Sequence, residues 1–133
     1  MSSRTPHPDP ETIIPHRGRW KLIDRIEEVG EGYVVTSKHF DEAYTEGHFP
    51  DQPVVPGVAL TEALAQTMLC LVSTGSTEGT PFLAGLDKVR FRAPVYPPAR
   101  VTFKVELVER RGRFTTCRGV AMMDGTRVCT AQL

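Results

Sequence analysis

The stretch Val58–Val72 limits the fold of this chain more than any other. It reads as one helix of about fifteen residues, roughly 22 Å long. It is apolar on nearly every side, through Val58, Ala59, Leu60, Ala63, Leu64, Ala65, Met68, Leu69, Leu71 and Val72. A helix of that kind has to be covered all round. With 133 residues there is one domain to do it. What the sequence offers as cover is β. Trp20–Val29 and Tyr33–Phe40 read as strands around the turn Gly30-Glu31-Gly32, and Phe82–Phe91, Arg100–Arg110, Phe114–Met123 and Thr126–Gln132 as four more. Arg111-Gly112 and Asp124-Gly125 mark tight hairpins between the last three. Val101, Phe103, Val105 and Leu107 alternate with polar residues, as in a strand with one buried face. The expected fold is therefore α+β, an antiparallel sheet wrapped around a long central helix. It spans one domain over residues 13–133, behind a Pro-rich, mobile N-terminal tail of residues 1–12.

The chemistry concentrates in residues 47–66, Gly-His-Phe-Pro-Asp-Gln-Pro-Val-Val-Pro-Gly-Val-Ala-Leu-Thr-Glu-Ala-Leu-Ala-Gln. Asp41–Pro56 is a long loop, and Pro50, Pro53 and Pro56 stiffen it by fixing φ and removing donors. Such a loop in a small domain is usually functional. His48 on the loop is a candidate base, suited to proton abstraction near neutral pH. Glu62, on the helix, has Val58, Ala59, Ala65 and Gln66 as its neighbours one turn away. Apolar burial without a charge partner would hold its carboxyl partly protonated, as an acid requires. Gln66 can hydrogen-bond that carboxyl. Gly57 opens the helix, where the first N–H groups have no intrahelical partner and the dipole favours a developing negative charge. It also permits a tight loop-to-helix turn.

His-Phe-Pro-x-x-Pro-x-x-Pro-Gly-Val followed by Glu-Ala-x-Ala-Gln is long and specific. It resembles the bacterial 3-hydroxyacyl-acyl-carrier-protein dehydratases of the FabZ type. Ile14-Pro15-His16-Arg17 with Leu22-Ile23-Asp24-Arg25 is similar to that family's opening, and residues 82–95, Phe-Leu-Ala-Gly-Leu-Asp-Lys-Val-Arg-Phe-Arg-Ala-Pro-Val, to its third block. The resemblance runs from about Ile13 onward. It implies the hotdog fold, and dimers with a continuous sheet that often assemble as trimers of dimers. His48 would take the C2 proton of a (3R)-3-hydroxyacyl thioester, the Gly57 N–H would stabilise the thioester oxyanion, and Glu62, oriented by Gln66, would protonate or position the departing hydroxyl. The resemblance also implies that Gly85 lies near the substrate and that His48 of one subunit faces Glu62 of the other. A glutamate at this place resembles the branch that only dehydrates; the related branch that also isomerises the double bond typically carries aspartate. His16 is read as structural, and His7 and His39 have no supporting context. The chain departs from the family pattern at Pro97-Pro98-Ala99, where Pro-Gly-Asp is common, and at Gly18-Arg19-Trp20-Lys21, which replaces a more apolar stretch.

Charge and cysteine usage narrow the setting. Sixteen basic and sixteen acidic residues give zero net charge, which argues against a general nucleic-acid binder. No run of about 18 apolar residues suggests a membrane span. Three scattered cysteines, Cys70, Cys117 and Cys129, fit a reduced, cytoplasmic protein. Neither Cys/His metal spacing nor a phosphate loop is present, and loss of water across C2–C3 calls for no metal or redox cofactor because it changes no net oxidation state. An acidic acyl carrier protein would need a local basic patch on a neutral chain. The candidates are Lys88, Arg90 and Arg92, expected to alternate on one strand face, and Arg110, Arg111 and Arg113 at a hairpin, the favoured docking site. Two further readings stay open. One is a hotdog thioesterase or a hydratase acting on coenzyme A thioesters. The other is a non-catalytic acyl-binding subunit.

Overall fold

The structure is a computed structural model, and it describes residues 7–45, 48–49, 51–72 and 83–133. Gly47, Pro50, Phe82 and the expected polar loop at 73–80 lie outside the described residues.

Among the described residues six strands form one sheet: β1 (Arg25–Gly30), β2 (Tyr33–Phe40), β3 (Asp87–Phe91), β4 (Ala99–Arg111), β5 (Phe114–Met123) and β6 (Thr126–Gln132). They lie in the order β1-β2-β4-β5-β6-β3, and every neighbouring pair is antiparallel. After β2 the chain passes through helix α1 (Gly57–Val72), lays β3 on the far edge, and returns to β4 beside β2. The helix packs on β2, β4, β5 and β6.

Alternation decides which strand face meets the helix. Along β4, Ala99, Val101, Phe103 and Val105 are buried while Arg100, Lys104 and Glu106 are exposed. A bulge between Leu107 and Glu109 ends the pattern, and Val108 to Arg111 are exposed beyond it. Two devices set the helix on the sheet. Thr67 donates its hydroxyl to the Ala63 carbonyl at 2.8 Å, so at 2.7 Å it accepts from Thr36 of β2, inside the core. At Gly119 of β5 a Cβ would stand 3.1 Å from Leu64, so the missing side chain lets the helix approach. The Asp124-Gly125 turn has φ of 50° and 79° at its two residues, which matches a type I′ hairpin.

Several expectations are corrected. β1 starts at Arg25 rather than Trp20, because Gly18–Trp20 forms a 3-10 turn with Gly18 at φ 62°. Asp9 caps a second such turn, Pro10–Thr12, through the Glu11 N–H. Arg17 and Lys21 then hold Glu11, so residues 9–12 pack on the domain instead of belonging to a tail. β3 begins at Asp87, where Lys88 takes φ 50° and the register shifts before Arg90. That break removes the simple alternation of Lys88, Arg90 and Arg92 on one face. The helix is also not covered all round by its own chain. Ala59, Leu60, Ala63, Leu64 and Cys70 are buried, but Glu62, Ala65, Leu69 and Val72 are only half-buried and Val58 is 72% exposed. These five recur at intervals of four and three, one stripe on the side away from the sheet.

Candidate active site

His48 stands on the loop between a short 3-10 turn, Glu42–Thr45, and α1. Its backbone is fastened at both ends: its N–H donates to Thr45 at 2.8 Å and its carbonyl accepts from Val54 at 2.9 Å. Val55 in turn donates to the Val95 carbonyl at 2.8 Å, tying the loop to the chain that follows β3. The ring stacks on Phe49 with centroids 4.4 Å apart. Its Nδ1 lies 3.0 Å from the Val54 carbonyl oxygen. A carbonyl only accepts, so in the neutral ring the proton sits on Nδ1 and the lone pair is on Nε2.

His48 lines a cleft of about 490 Å³ with Gly57, Val58, Phe91 and Pro94. Gly57 is the first residue of α1. A Cβ there would come within 2.8 Å of the Phe91 ring, so the glycine lets Phe91 lie against the helix start. This is a packing reason for the glycine, distinct from the tight turn expected of it. The N–H reading is compatible with it, because the first helical amides have no intrahelical acceptor.

Glu62 lies in a different cleft, of about 360 Å³, with Gln66, Leu69, Gly85, Arg113 and Phe114 on its walls. The two clefts share no lining residue. Within one chain the structure brings Glu62, Gln66, Gly85 and Arg113 together and His48 with Gly57, but it does not join the two groups. Both volumes fall in the ~300–1,000 Å³ range of small-ligand sites.

Gln66 is fully buried and does more than touch Glu62. Its carbonyl oxygen accepts from the Leu22 N–H at 2.8 Å, and its amide nitrogen donates to the Trp20 carbonyl at 2.5 Å. The same nitrogen stands 3.4 Å from Glu62 Oε1, a long contact. Gln66 therefore pins residues 20–22 to the helix first and orients Glu62 second. The apolar, unpaired setting expected for Glu62 is not found. Its side chain is 33% exposed and His16 Nε2 stands 3.5 Å from Oε1. Reading His16 as merely structural missed this contact. The sequence signal was its place in Ile14-Pro15-His16-Arg17, but only the fold brings residue 16 to residue 62.

Gly85 lies just before β3, outside any strand, and a Cβ there would meet nothing within 4 Å. Of the hairpin arginines, Arg111 pairs with Glu109 at 3.0 Å in the open, while Arg113 stands at the wall of the Glu62 cleft. Arg92 lines the His48 cleft. Among the described residues no group of three or more His, Cys, Asp or Glu side chains could hold a metal ion. Among them, no helix is long and apolar enough to cross a membrane.

One helix in the embrace of an antiparallel sheet, with a loop histidine and a helix glutamate lining apolar clefts, is the arrangement of a hotdog-fold enzyme. The chain belongs to the FabA-like family: that family model, described as a FabA-like domain, matches residues 14–132. The 3-hydroxyacyl-acyl-carrier-protein dehydratase FabZ of Clostridium perfringens is 40% identical over 125 residues, covering 91% of this chain and 90% of that protein. The protein of the same name from Caldicellulosiruptor bescii is 40% identical over 126 residues, with 91% and 90% covered. Among solved structures, the dehydratase heterocomplex ApeI:P from Xenorhabdus doucetiae superposes with a TM-score of 0.79 at 16% identity, covering 96% of this chain and 89% of that one. A hypothetical thioesterase with coenzyme A from Streptococcus pneumoniae reaches 0.65 at 18% identity, with 81% and 80% covered. These two structures share the fold with this chain.

Proposed function

We propose that the protein removes water from (3R)-3-hydroxyacyl thioesters, held on acyl carrier protein, to give trans-2-enoyl thioesters during fatty-acid or related acyl-chain biosynthesis. The observation that carries this reading is the His48 tautomer. With Nδ1–H given to Val54, the free Nε2 lone pair can take the C2 proton of a substrate in its cleft. Negative charge then develops on the thioester oxygen, where the N–H groups at the Gly57 helix start and the helix dipole can stabilise it. The C3–O bond breaks, the hydroxyl takes a proton from Glu62, and water leaves as C2=C3 forms. His48 ends protonated and Glu62 ionised, so one proton must return to Glu62 before the next turnover.

The base and the acid lie in separate clefts of one chain, so the site is completed by a second copy, with His48 of one subunit facing Glu62 of its partner. The uncovered stripe of α1 supports this, as does the edge strand β3 with the residue before it, since Phe91 is 56% and Leu86 43% exposed. Three buried free cysteines are in keeping with a reduced, cytoplasmic setting. Arg110, Arg111 and Arg113 would receive the acidic carrier beside the Glu62 cleft. The deciding experiment supplies 3-hydroxyacyl carrier-protein substrates of graded chain length. Enoyl formation is expected; release of free thiol without enoyl product would favour the thioesterase reading instead.

A further inference from the structure

The dehydratase reading needs Glu62 to present its proton in one direction, and this inference rests on that reading. Both polar contacts of the carboxyl described above fall on the same oxygen, Oε1, and neither uses Oε2. The Gln66 amide is the weaker holder, since its nitrogen already donates to the Trp20 carbonyl at 2.5 Å and reaches Oε1 only at 3.4 Å. His16 is the other. Its backbone is fixed by Arg17, whose guanidinium donates to the Ile14 and His16 carbonyls at 2.8 and 2.7 Å, and Ile14 is anchored in the core.

The His16 ring carries its own evidence of tautomer. Nδ1 is buried and has no hydrogen-bond partner among the described residues. A proton there would be an orphaned buried donor, which native structures rarely tolerate, whereas a bare lone pair is the lesser penalty. The proton therefore belongs on Nε2, the atom 3.5 Å from Glu62 Oε1. That separation is longer than a formed hydrogen bond, as catalytic contacts often are before substrate is bound.

We propose that His16 is a positioning residue for the dehydration. Its Nε2–H holds Oε1 of Glu62 as an acceptor, so the proton of the neutral carboxyl is carried on Oε2 and is offered to the substrate hydroxyl. His16 itself gives up no proton to substrate. The two active-site histidines are then set in opposite tautomers for opposite tasks. His48 is protonated on Nδ1 to leave a base, and His16 on Nε2 to direct an acid.

The test replaces the ring by one of similar shape with no donor, His16→Phe, and by an amide whose N–H reaches the place of Nε2, His16→Gln. His16→Phe should lower kcat by about 10–100-fold, the scale of a misplaced catalytic group, with KM little changed. His16→Gln should recover most of that loss. In a Glu62→Gln background, His16→Phe should cost nothing more. Undiminished kcat in His16→Phe, or an equal loss in both backgrounds, would overturn the proposal. Nitrogen-15 NMR of the imidazoles decides it independently of activity and of how the variants fold: the Nε2–H tautomer of His16 in the wild-type protein is expected, and the Nδ1–H tautomer would overturn it. Failure of the wild-type protein to dehydrate any substrate would instead sink the dehydratase reading, and the NMR result would still decide how His16 is held.

Discussion

The Val54 carbonyl stands 3.0 Å from Nδ1 of His48, and the Val54 N–H donates at 2.9 Å to the carbonyl of the same histidine. Two residues six apart are thus clasped by backbone and ring at once. The clasp fixes both the ring's orientation and its tautomer before any substrate arrives, so little reorganisation remains for the reaction itself.

His48→Ala and Glu62→Gln are each expected to lower dehydration by about 10²–10⁴-fold, the usual contribution of a general acid or base, while the fold survives. Steady-state kinetics beside far-ultraviolet circular dichroism measure both. Near-normal turnover in either variant would remove that residue from the mechanism.

Because the two clefts share no lining residue, the two inactive variants should complement each other. A dimer with one His48→Ala chain and one Glu62→Gln chain retains one intact pair out of two. Mixed dimers, verified by mass spectrometry, should recover up to about half of the wild-type rate per dimer, as independent sites would give. Inactive mixed dimers would mean that base and acid are used within one chain.

Local pattern carried much of this architecture. Tyr33–Phe40 was readable to the residue, because a glycine turn and a proline-rich loop bound a run rich in β-branched and aromatic residues. The end of α1 at Val72 and the hairpins at Gly112 and Gly125 were readable for similar reasons. Lys88 and Trp20 mislead because each sits in a β-like run whose backbone leaves the strand conformation. Lys88 adopts φ 50° at the start of an edge strand, and Trp20 gives its carbonyl to Gln66 forty-six residues away. The candidate site was half readable. His48, Gly57 and Glu62 are close in sequence and share a recognisable motif, whereas His16 meets Glu62 only through tertiary packing. The exposed stripe through Val58 was hidden by composition, since an apolar residue reads the same whether its own chain or a second copy covers it.

Gln66 should matter for stability as well as for chemistry. Gln66→Ala would leave the Leu22 N–H and the Trp20 carbonyl without their partner. An unsatisfied buried group costs about 1–3 kcal/mol; with the Leu22 N–H buried and the Trp20 carbonyl only partly so, a total loss of ~2–4 kcal/mol is expected. Urea unfolding gives the value directly, and a loss under ~0.5 kcal/mol would show that water replaces the amide at little cost.

Burial pushes the Cys70 thiol from 9.0 up to about 12, and burial likewise raises Cys117 and Cys129 to about 11. A raised folded pKa means that the unfolded chain loses these protons first as pH rises. The stabilisation is therefore whole below about pH 9 and is lost between there and pH 11–12, at about 1 kcal/mol per thiol by pH 10. Unfolding free energy measured at pH 8 and pH 10 should fall accordingly, and less steeply in Cys70→Ala. Below pH 8 the same thiols should resist alkylation in the folded protein; rapid labelling of all three would contradict their burial.

The carrier surface is tested by charge reversal at the hairpin. Gly112, at φ 60°, turns the chain tightly, and Arg110, Arg111 and Arg113 are all exposed around it. Arg111 is partly neutralised by Glu109, while Arg113 stands at the wall of the Glu62 cleft, where a thioester arm would enter. Charges at such a rim act on association rate and weaken with salt, with the screening length falling to about 8 Å at physiological ionic strength. Arg110→Glu combined with Arg111→Glu should therefore raise the KM for carrier-bound substrate, and the defect should shrink as salt is added. Turnover of a small thioester surrogate, which needs no carrier, should fall far less. An equal loss on both substrates would mean that these arginines serve the fold or the cleft, and the carrier would then have to dock elsewhere, with Arg92 at the mouth of the His48 cleft the next residue to reverse.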